Sequence, residues 1–355
     1  MFDTSVKNVM FDLGTGREIY DAEEGRVISK AEASDVIRKA CFEYLGLSKT
    51  STNKEIKRAL DPHTDRAKEF FAVIEEIIDT QIAYGLSEDE FFNAFVETKN
   101  MKDGDVNEFW VDQDVLLTVS KVAGDHHDLS VQKLGAGSSY HVDTAVYGIK
   151  VGSDIRLFLT GRKDWSDFVN AVVKAYINKV QTLISSQFAN GVNIISVPSV
   201  LTGTGTLDSS TKAAFDAIIE KVGAANESGV VIMGTKTALK NLTALTKIDW
   251  TSPAASIKEA VANTGIIGNY EGTPLLEIPQ KFTDKTLATP IVDNGKLYIM
   301  PAVSDNKFIK FVDYGESELT VDEKGANMDD MQTYEVQRRL GVSTLMTRYF
   351  GVWTI

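Results

Sequence analysis

The feature that most constrains the fold is one long amphipathic helix, predicted from Asp164 to Asn190. Its apolar residues recur at spacings of three and four, which places them on one face of an α-helix. They are Trp165, Phe168, Val169, Val172, Val173, Tyr176, Ile177, Val180, Leu183, Ile184 and Phe188. Asp164 is positioned to cap the first turn and Gly191 to end the helix. At about 1.5 Å per residue the helix is roughly 40 Å long, which predicts a rigid structural element rather than a catalytic one.

The segment that precedes this helix, from Asp125 to Val151, is predicted to be an extended hairpin. Val131–Leu134 and Tyr140–Tyr147 are rich in residues that favour strands, and the glycine- and serine-rich run 135–139 supplies a loose tip. Few large apolar side chains lie in this arm, so it cannot bury much surface against its own chain. A neighbouring molecule is one source of the missing support, and a surface hairpin with no partner is the other interpretation.

Composition and charge bound the class of protein. The chain has 355 residues, of which 43% are hydrophobic and 25% charged, as expected for a folded protein of two or three packed units. Its formal net charge of −13 argues against binding nucleic acid by phosphate neutralisation. The single cysteine, Cys41, permits no intrachain disulfide and is expected to be a buried thiol in a reducing compartment. Neither a signal peptide nor a membrane span is predicted.

The N-terminal third is predicted to be helical up to a boundary at Asp103–Gly104. The first predicted helix carries Val36, Ile37, Ala40, Cys41, Tyr44 and Leu45 and ends at Gly46. The second begins after Asp61–Pro62, carries Phe70, Phe71, Ile74, Ile77, Ile78 and Ile82, and ends at Gly85. Ser87 and Glu90 form the pattern of a capping box, which predicts a third helix bearing Phe91, Phe92, Phe95 and Val96.

Strands alternate with helices through the remainder of the chain. Between Val106 and Leu159 the apolar pattern acquires the period of two that is typical of strands. After the long helix, 192–198 is predicted to be a strand and 201–210 a polar loop before a helix that contains Phe215 and Val222. Further strands are predicted at 229–233, 273–279 and 296–302, and a helix at 236–245. This alternation predicts a compact α+β lobe across 198–302. The C-terminal tail returns to strands.

The sequence contains no convincing catalytic, cofactor-binding or metal-binding set. Gly229–Thr237 approaches the pattern of a phosphate-binding loop, but Lys236 stands one residue late and the intervening residues are apolar, as in a buried strand. The possible metal ligands of the arm are His126, His127, Asp128 and His141. Adjacent histidines on a strand point to opposite faces, which argues against a shared metal. A nucleotide-dependent enzyme that uses Gly229–Thr237 stays the alternative from another functional class.

Taken in order, the second half of the chain resembles the major capsid proteins of tailed bacteriophages, whose shell fold also occurs in encapsulin nanocompartments. The arm Asp125–Val151 is similar to the extended loop of that family, and the helix Asp164–Asn190 to its spine helix. The most specific pieces are the Gly-x-Tyr-x-Gly-x-Pro-apolar run from Gly268 to Leu275 and the cluster from Glu335 to Arg339. The resemblance covers roughly 105–355.

The resemblance implies an α+β fold, the tailed-phage major capsid protein fold, with a helical N-terminal region added at 1–104. The extended loop and its flanking strands would occupy 105–160, and the spine helix with the first part of the peripheral domain 161–197. The axial domain would span 198–315, and the closing strands of the peripheral domain 316–355.

The resemblance also implies a function, that of a structural subunit and not an enzyme. Such a protein self-assembles through hexamers and pentamers into an icosahedral viral shell around double-stranded DNA, and an encapsulin-like compartment is the alternative. The implied partners are other copies of the chain, a portal, and scaffold or decoration proteins, with no membrane and no sequence-specific DNA binding. The implied location is the virion capsid, after assembly in the host cytoplasm.

The same resemblance indicates which residues contact neighbouring subunits. They are Lys133, Gly135, Gly137, Tyr140, Arg338, Arg339 and Arg348. Some relatives join the loop covalently to a neighbour through a lysine and an asparagine, assisted by a glutamate. The candidates for that chemistry are Lys133, Asn327 and Glu335, and unmodified side chains are the favoured interpretation.

Overall fold

The computed structural model describes residues 4–15, 17, 19–20, 27–48, 50–60, 64–87, 89–102, 104–111, 137–152, 165–245, 267–283, 286–302, 306–322 and 333–355. The helices are α1 (Thr4–Thr15), α2 (Lys30–Leu45), α3 (Asn53–Ala59), α4 (Asp65–Ser87), α5 (Glu90–Phe95), α6 (Trp165–Ile194), α7 (Lys212–Asn226) and α8 (Lys236–Leu245). The strands are β1 (Ile19–Tyr20), β2 (Val27–Ile28), β3 (Val96–Asn100), β4 (Glu108–Val111), β5 (Ser138–His141), β6 (Ala145–Gly152), β7 (Thr202–Thr204), β8 (Gly229–Gly234), β9 (Asn269–Tyr270), β10 (Thr273–Glu277), β11 (Lys296–Ala302), β12 (Ile309–Asp322), β13 (Thr333–Thr344) and β14 (Gly351–Thr354).

The chain divides into two compact units, each built from three stretches of sequence. Unit 1 contains Met1–Asn93, Thr144–Leu183 and Asp313–Leu340, and unit 2 contains Ala94–Asp143, Ile184–Val312 and Gly341–Ile355. No helix in the described part of the chain combines the length and the apolar character needed to cross a bilayer.

Unit 1 begins with α1, which the sequence did not predict, and continues with the predicted helix α2. Helix α2 starts with a capping box in which Ser29 Oγ accepts from the Glu32 amide and the Glu32 carboxylate accepts from the Ser29 amide. Gly46 ends the helix in the left-handed conformation, as predicted. Helices α1, α2 and α4 contact one another, and Cys41 is fully buried among them.

Three helix boundaries in this region differ from the prediction. Helix α4 continues through Gly85 to Ser87, so the glycine does not end it. Helix α5 is capped by Asp89 rather than by Ser87, because Asp89 Oδ1 accepts from the amides of Phe91 at 3.0 Å and Phe92 at 3.2 Å. Residue 96, predicted to be helical, begins strand β3.

In unit 1, helix α6 contacts a β-sheet. In this unit the strand order is β12, β13, β6, and β6 pairs antiparallel with β13 from Ala145 opposite Leu340 to Gly152 opposite Thr333. The hydroxyl of Tyr176 on α6 donates to the carbonyl oxygens of Val336 at 2.5 Å and Tyr147 at 3.0 Å. These bonds fix the helix against the β6–β13 pair.

Helix α6 confirms the predicted long helix but extends further. It has 30 residues, or roughly 45 Å at about 1.5 Å per residue. Gly191, predicted to stop it, lies inside the helix, and a Cβ there would come within 2.8 Å of Thr344 Oγ1 in unit 2. Ile184, Phe188 and Val192 are buried at a spacing of four, so the helical period continues into the segment 192–198. The strand predicted at 192–198 was therefore wrong.

Unit 2 contains a six-stranded sheet of order β7-β14-β11-β8-β10-β9. Strand β8 pairs parallel with β10 and antiparallel with β11, and β14 pairs parallel with β7. Helices α7 and α8 pack on this sheet around a core centred on Phe215, Trp353 and Tyr270. Phe215 makes edge contacts with Trp353 at 5.5 Å and Tyr270 at 5.7 Å between ring centroids. The helices and strands predicted for 212–302 are confirmed.

Candidate assembly surfaces

The described base of the predicted arm is a two-stranded ribbon in unit 2. Strand β4 pairs antiparallel with β5, and the chain between them, 112–136, lies outside the described residues. The sequence predicted one arm strand over Tyr140–Tyr147, but β5 ends at His141 and a separate strand, β6, begins at Ala145. Val142 between them is fully buried, so the chain turns into the core at the point where the prediction continued an exposed hairpin.

The outer face of this ribbon carries a large exposed aromatic side chain. Phe109 and Val111 are buried, whereas Trp110 between them is 64% exposed, because alternate residues of a strand point to opposite faces. The indole ring lies against Gly137, where a Cβ would come within 2.7 Å of Trp110 Cε2. Tryptophan is among the residues that contribute most to protein interfaces, so Trp110 marks this face as a candidate contact surface.

The inner face fixes the ribbon to the body of unit 2. Tyr140 Oη lies 2.7 Å from Ser343 Oγ. Asn107 Nδ2 donates to the carbonyl oxygen of Val142 at 2.5 Å, and the Asn107 carbonyl lies 2.7 Å from His141 Nδ1. Tyr140, predicted to be an interface residue, therefore makes an intrachain bond and stays partly exposed. These contacts hold the base of the ribbon in a fixed position on unit 2.

A buried lysine lies beneath the ribbon. The side chain of Lys310 is fully buried, and its ammonium pairs with the carboxylate of Glu97 on β3. The same ammonium lies 5.4 Å from the ring centroid of Phe109, and the ammonium of Lys99 lies 5.8 Å from that ring. Lys99 also donates to the carbonyl oxygens of Val106 and Glu108. The charged groups of Lys310, Glu97 and Lys99 thus link strands β3, β4 and β12 to one another.

Arg338 occupies the interior of unit 1 instead of a surface. Its side chain is 3% exposed. Nε and Nη2 donate to the two carboxylate oxygens of Asp313 at 2.9 and 2.7 Å, and Nη1 donates to Asp79 Oδ1 at 2.5 Å. We expected Arg338 at a subunit interface, and the structure instead gives it two acidic partners from its own chain. The reason is the position in β13, which directs the side chain toward α4 and β12.

The environment of Arg338 favours its charged form. Burial opposes the charge, but hydrogen bonds and attraction from Asp313, together with Asp79, outweigh burial and raise the pKa of Arg338. Tyr176 is close to the same group, and burial, partly offset by the positive charge of Arg338, raises the pKa of Tyr176 to about 12. A planar guanidinium that binds one carboxylate with two nitrogens and a second carboxylate with the third is a strong and directional link.

The other two predicted arginines differ from Arg338. Arg339 is exposed on β13, its guanidinium lies 5.3 Å from the ring centroid of Tyr314, and its cross-strand neighbour is Val146, itself 55% exposed. Arg348 is partly exposed in unit 2, in the segment that precedes β14, and borders a small cavity of about 20 Å³. A cavity of that size holds about one water molecule and no organic ligand. The surface position of Arg339 is compatible with an intersubunit contact.

Several predicted positions lie outside the described residues. Lys133, Gly135 and Asn327 are among them. Glu335 is described, and it accepts a hydrogen bond from Gln337 Nε2 at 2.6 Å. The interpretation that Lys133 and Asn327 are unmodified therefore stays a prediction.

The specific run from Gly268 to Leu275 contains strand β9, the turn at Glu271 and Gly272, and the start of β10. Tyr270 is 1% exposed and donates to Asp216 Oδ1 at 2.9 Å. Lys212 at the start of α7 pairs with Asp216 at 3.2 Å and with Glu271. Burial, followed by the bond to Asp216, raises the pKa of Tyr270 to about 12. The run is thus explained by packing of the turn on α7.

The segment that approached a phosphate-binding loop is a central strand. Residues Gly229–Gly234 form β8, which is hydrogen-bonded to β10 on one side and β11 on the other. Its amides therefore belong to a sheet and are not directed together at a ligand, as a phosphate loop requires. In the described part of the chain, no three His, Cys, Asp or Glu side chains lie together as a possible metal site.

Sequence reasoning missed Trp110, Lys310 and the two acidic partners of Arg338. The alternation Phe109-Trp110-Val111 indicates that one face is buried, but it does not say which. Asp79 and Asp313 are separated by most of the chain, and carboxylates are plentiful in an acidic sequence. A local signal exists only for Arg338, which is a charged residue at a strand position flanked on alternate sites by Val336 and Leu340, both 1% exposed.

The chain is similar to one protein family and to several solved structures. The family model described as "SPbeta prophage-derived putative capsid protein YonB" matches residues 8–354. Among solved structures, the mature capsid of bacteriophage PhiM1 is similar with a TM-score of 0.50 and 11% identity, covering 75% of this chain and 87% of that chain. The capsid of Ralstonia phage GP4 has a TM-score of 0.46 and 12% identity, covering 75% of this chain and 90% of that chain. The virus-like particle of Pyrococcus furiosus has a TM-score of 0.41 and 12% identity, covering 78% and 98%.

No curated protein matches the chain. The similarity to the PhiM1 capsid subunit shows a shared fold and confirms the predicted α+β fold class.

Proposed function

The chain belongs to the family described as "SPbeta prophage-derived putative capsid protein YonB", and we propose that it is the structural subunit of an icosahedral bacteriophage shell. The observation that carries this proposal is the family match, which extends from residue 8 to residue 354 and so includes both units. The fold shared with the PhiM1 capsid subunit supports it.

The described surfaces suit repeated contacts between copies. Closed shells are built from many interfaces of modest size, each repeated by symmetry around rings of subunits. In unit 2 the ribbon, held in place by Tyr140, exposes Trp110 on its surface. In unit 1 the β6–β13 pair exposes Val146 and Arg339. We assign these surfaces to contacts within hexamers and pentamers, together with Lys133, Gly135, Gly137 and Arg348.

We propose further that the axial domain is 198–315. The peripheral domain is then divided between 161–197 and 316–355, with the extended loop at 105–160. The subunit acts without catalysis, assembles in the host cytoplasm with a portal and with scaffold or decoration proteins, and ends in the virion. The net charge of −13 suits a container that must not adhere to the DNA inside it.

Electron microscopy of the purified full-length protein tests the proposal. We expect closed shells or rings, and particles recovered from cells should contain DNA. A protein that stays strictly monomeric at high concentration would contradict the proposed function, and particles filled with protein would indicate a compartment in place of a virion.

Substitution of Trp110 tests which surface makes the contacts. Trp110→Ala should leave the far-ultraviolet circular dichroism unchanged but reduce shell yield by about tenfold or more, as expected for an interface hot spot. Trp110→Phe, which retains a large aromatic ring, is the matched control and should retain most assembly. Equal yields for the alanine and wild-type proteins would remove the ribbon from the interface while leaving the shell function intact.

A further inference from the structure

Helix α4 is buried on more than one side. Its buried residues are Ala67, Phe70, Phe71, Val73, Ile74, Ile77, Ile78, Gln81, Ile82 and Leu86. A surface helix that packs on one neighbour buries a single stripe, with residues three and four apart. At about 100° per residue, Val73 and Leu86 lie at the two edges of the buried face, which therefore extends over roughly 220°, about twice the width of a single stripe. Helices α1 and α2 contact α4 and account for part of this burial.

Near its C-terminal end, α4 contacts helix α6 in unit 1. A Cβ at Gly85 would lie 2.4 Å from Ile177 Cδ1, so the tip of the Ile177 side chain lies directly against the α4 backbone. Just beyond α4, Asp89 Oδ2 accepts a hydrogen bond from Gln181 Nε2 at 3.0 Å. Helices α1, α2 and α4, which we call the helical layer, are therefore joined through α4 to the long helix.

A buried ion pair joins the same layer to the strands of unit 1. Asp79 of α4 is 22% exposed and accepts from Arg338 Nη1 at 2.5 Å, while Asp313 binds the other side of the guanidinium. Without the helical layer, the Arg338 guanidinium would lose one of its two carboxylates. Ile177 would at the same time lose the helix that covers it. Helix α4 therefore supplies unit 1 with a carboxylate for the buried Arg338 and with apolar cover for Ile177.

The proposed shell function gives this arrangement a consequence, and the inference rests on that function. We propose that the helical layer is a permanent part of the shell subunit, so that the chain assembles and stays in the finished particle with α1, α2 and α4 attached. A removable assembly segment would be joined to the body by exposed contacts that open at little cost. The Asp79–Arg338 pair instead holds a guanidinium that is 3% exposed, and the α4–α6 contact is partly buried.

The subunit mass in purified particles tests the proposal without any substitution. We expect the full-length chain, 39.0 kDa, in finished particles that contain DNA. Particles whose subunits begin beyond Ser87 would overturn the inference while supporting the shell function. If the wild-type protein forms no particles, the shell function fails, and the next experiment still tests the attachment of the layer on the unassembled subunit.

Limited proteolysis of unassembled subunits measures that attachment. In Asp79→Ala the Arg338 side chain loses one buried partner, so we expect proteolytic release of the helical layer to accelerate by about tenfold or more. Asp79→Asn keeps the shape of the side chain and a hydrogen-bond acceptor, so it should give a smaller acceleration. It provides the test if the alanine variant does not fold.

Glu76→Gln is the matched control, because Glu76 lies on the same helix in an exposed pair with Lys7 at 2.6 Å. Its release rate should stay within about twofold of wild type, as for other exposed ion pairs. Release of the layer at the wild-type rate from both Asp79 variants would overturn the proposed role of the pair.

Discussion

The substitution Gly191→Ala distinguishes two explanations for a glycine near the end of a long helix. A glycine that ends a helix adopts the left-handed conformation, whereas Gly191 lies inside α6, which continues to Ile194. Its surroundings in unit 2 leave no space for a side chain. An added Cβ would lie 2.8 Å from Thr344 Oγ1 and 3.1 Å from Phe308 Cζ.

Two opposing effects set the magnitude. Replacing glycine by alanine inside a helix usually stabilises a protein by about 0.5–1 kcal/mol, because the unfolded chain loses freedom. Inserting a methyl group into a packed interior costs about 1–3 kcal/mol. The contacts of Gly191 are shorter than ordinary carbon contacts, so overpacking should prevail. We expect a net destabilisation of about 1 kcal/mol.

Urea unfolding of the unassembled chain, followed by circular dichroism, measures the change as a shift of the midpoint at constant slope. Adding Thr344→Ala should recover at least about 0.5 kcal/mol, because it removes the nearest atom. Gly191→Asn separates the two explanations: asparagine tolerates the left-handed conformation but is larger than alanine. The packing explanation predicts that asparagine is worse than alanine. A more stable alanine variant, or an asparagine variant better than alanine, would refute the reasoning.

Two further predictions concern buried groups. Burial raises the pKa of the Cys41 thiol to about 12. A thiol reagent should therefore modify the native protein very slowly from pH 7 to 10 and rapidly in urea. Above about pH 8.5 the thiol ionises only in the unfolded chain, so this group then favours unfolding. Fast modification of the native chain would contradict its burial. Glu97→Ala leaves the buried Lys310 ammonium without its carboxylate and should cost about 3 kcal/mol in urea unfolding, whereas Lys310→Met leaves a carboxylate that is 39% exposed and should cost less. Equal costs would show that the pair is not buried as described.

Local patterns predicted most helices correctly because their signals lie within a few turns. The stripe that contains Tyr176 and Val180 defined helix α6, and Gly46 defined the end of α2. The same reasoning misplaced boundaries where glycine served packing, as at Gly85 and Gly191. Glycine permits both a left-handed turn and a close approach of two backbones, and the sequence does not distinguish these uses.

The sequence predicted the type of each helix or strand better than it predicted which segments or side chains contact one another. The sequence favoured strands around Tyr140, and their predicted partner, Val131–Leu134, lies outside the described residues; in the described part β5 pairs with β4 and β6 with β13. The interface role expected for Arg338 had the same origin. A charged residue on a strand is expected at a surface unless a partner is known, and Asp79 and Asp313 come from distant parts of the chain.

The sequence by itself determined the long helix, the alternation of helices and strands in the second half, the buried thiol, and the resemblance that led to a shell subunit. These follow from periodicity, caps and motif order, which are properties of neighbouring residues. Only the tertiary structure decided that Trp110 faces outward, that Arg338 faces inward, and that α4 completes the interior of unit 1. Those properties depend on which distant segments meet, because burial and ion pairing are set by the partner and not by the residue alone.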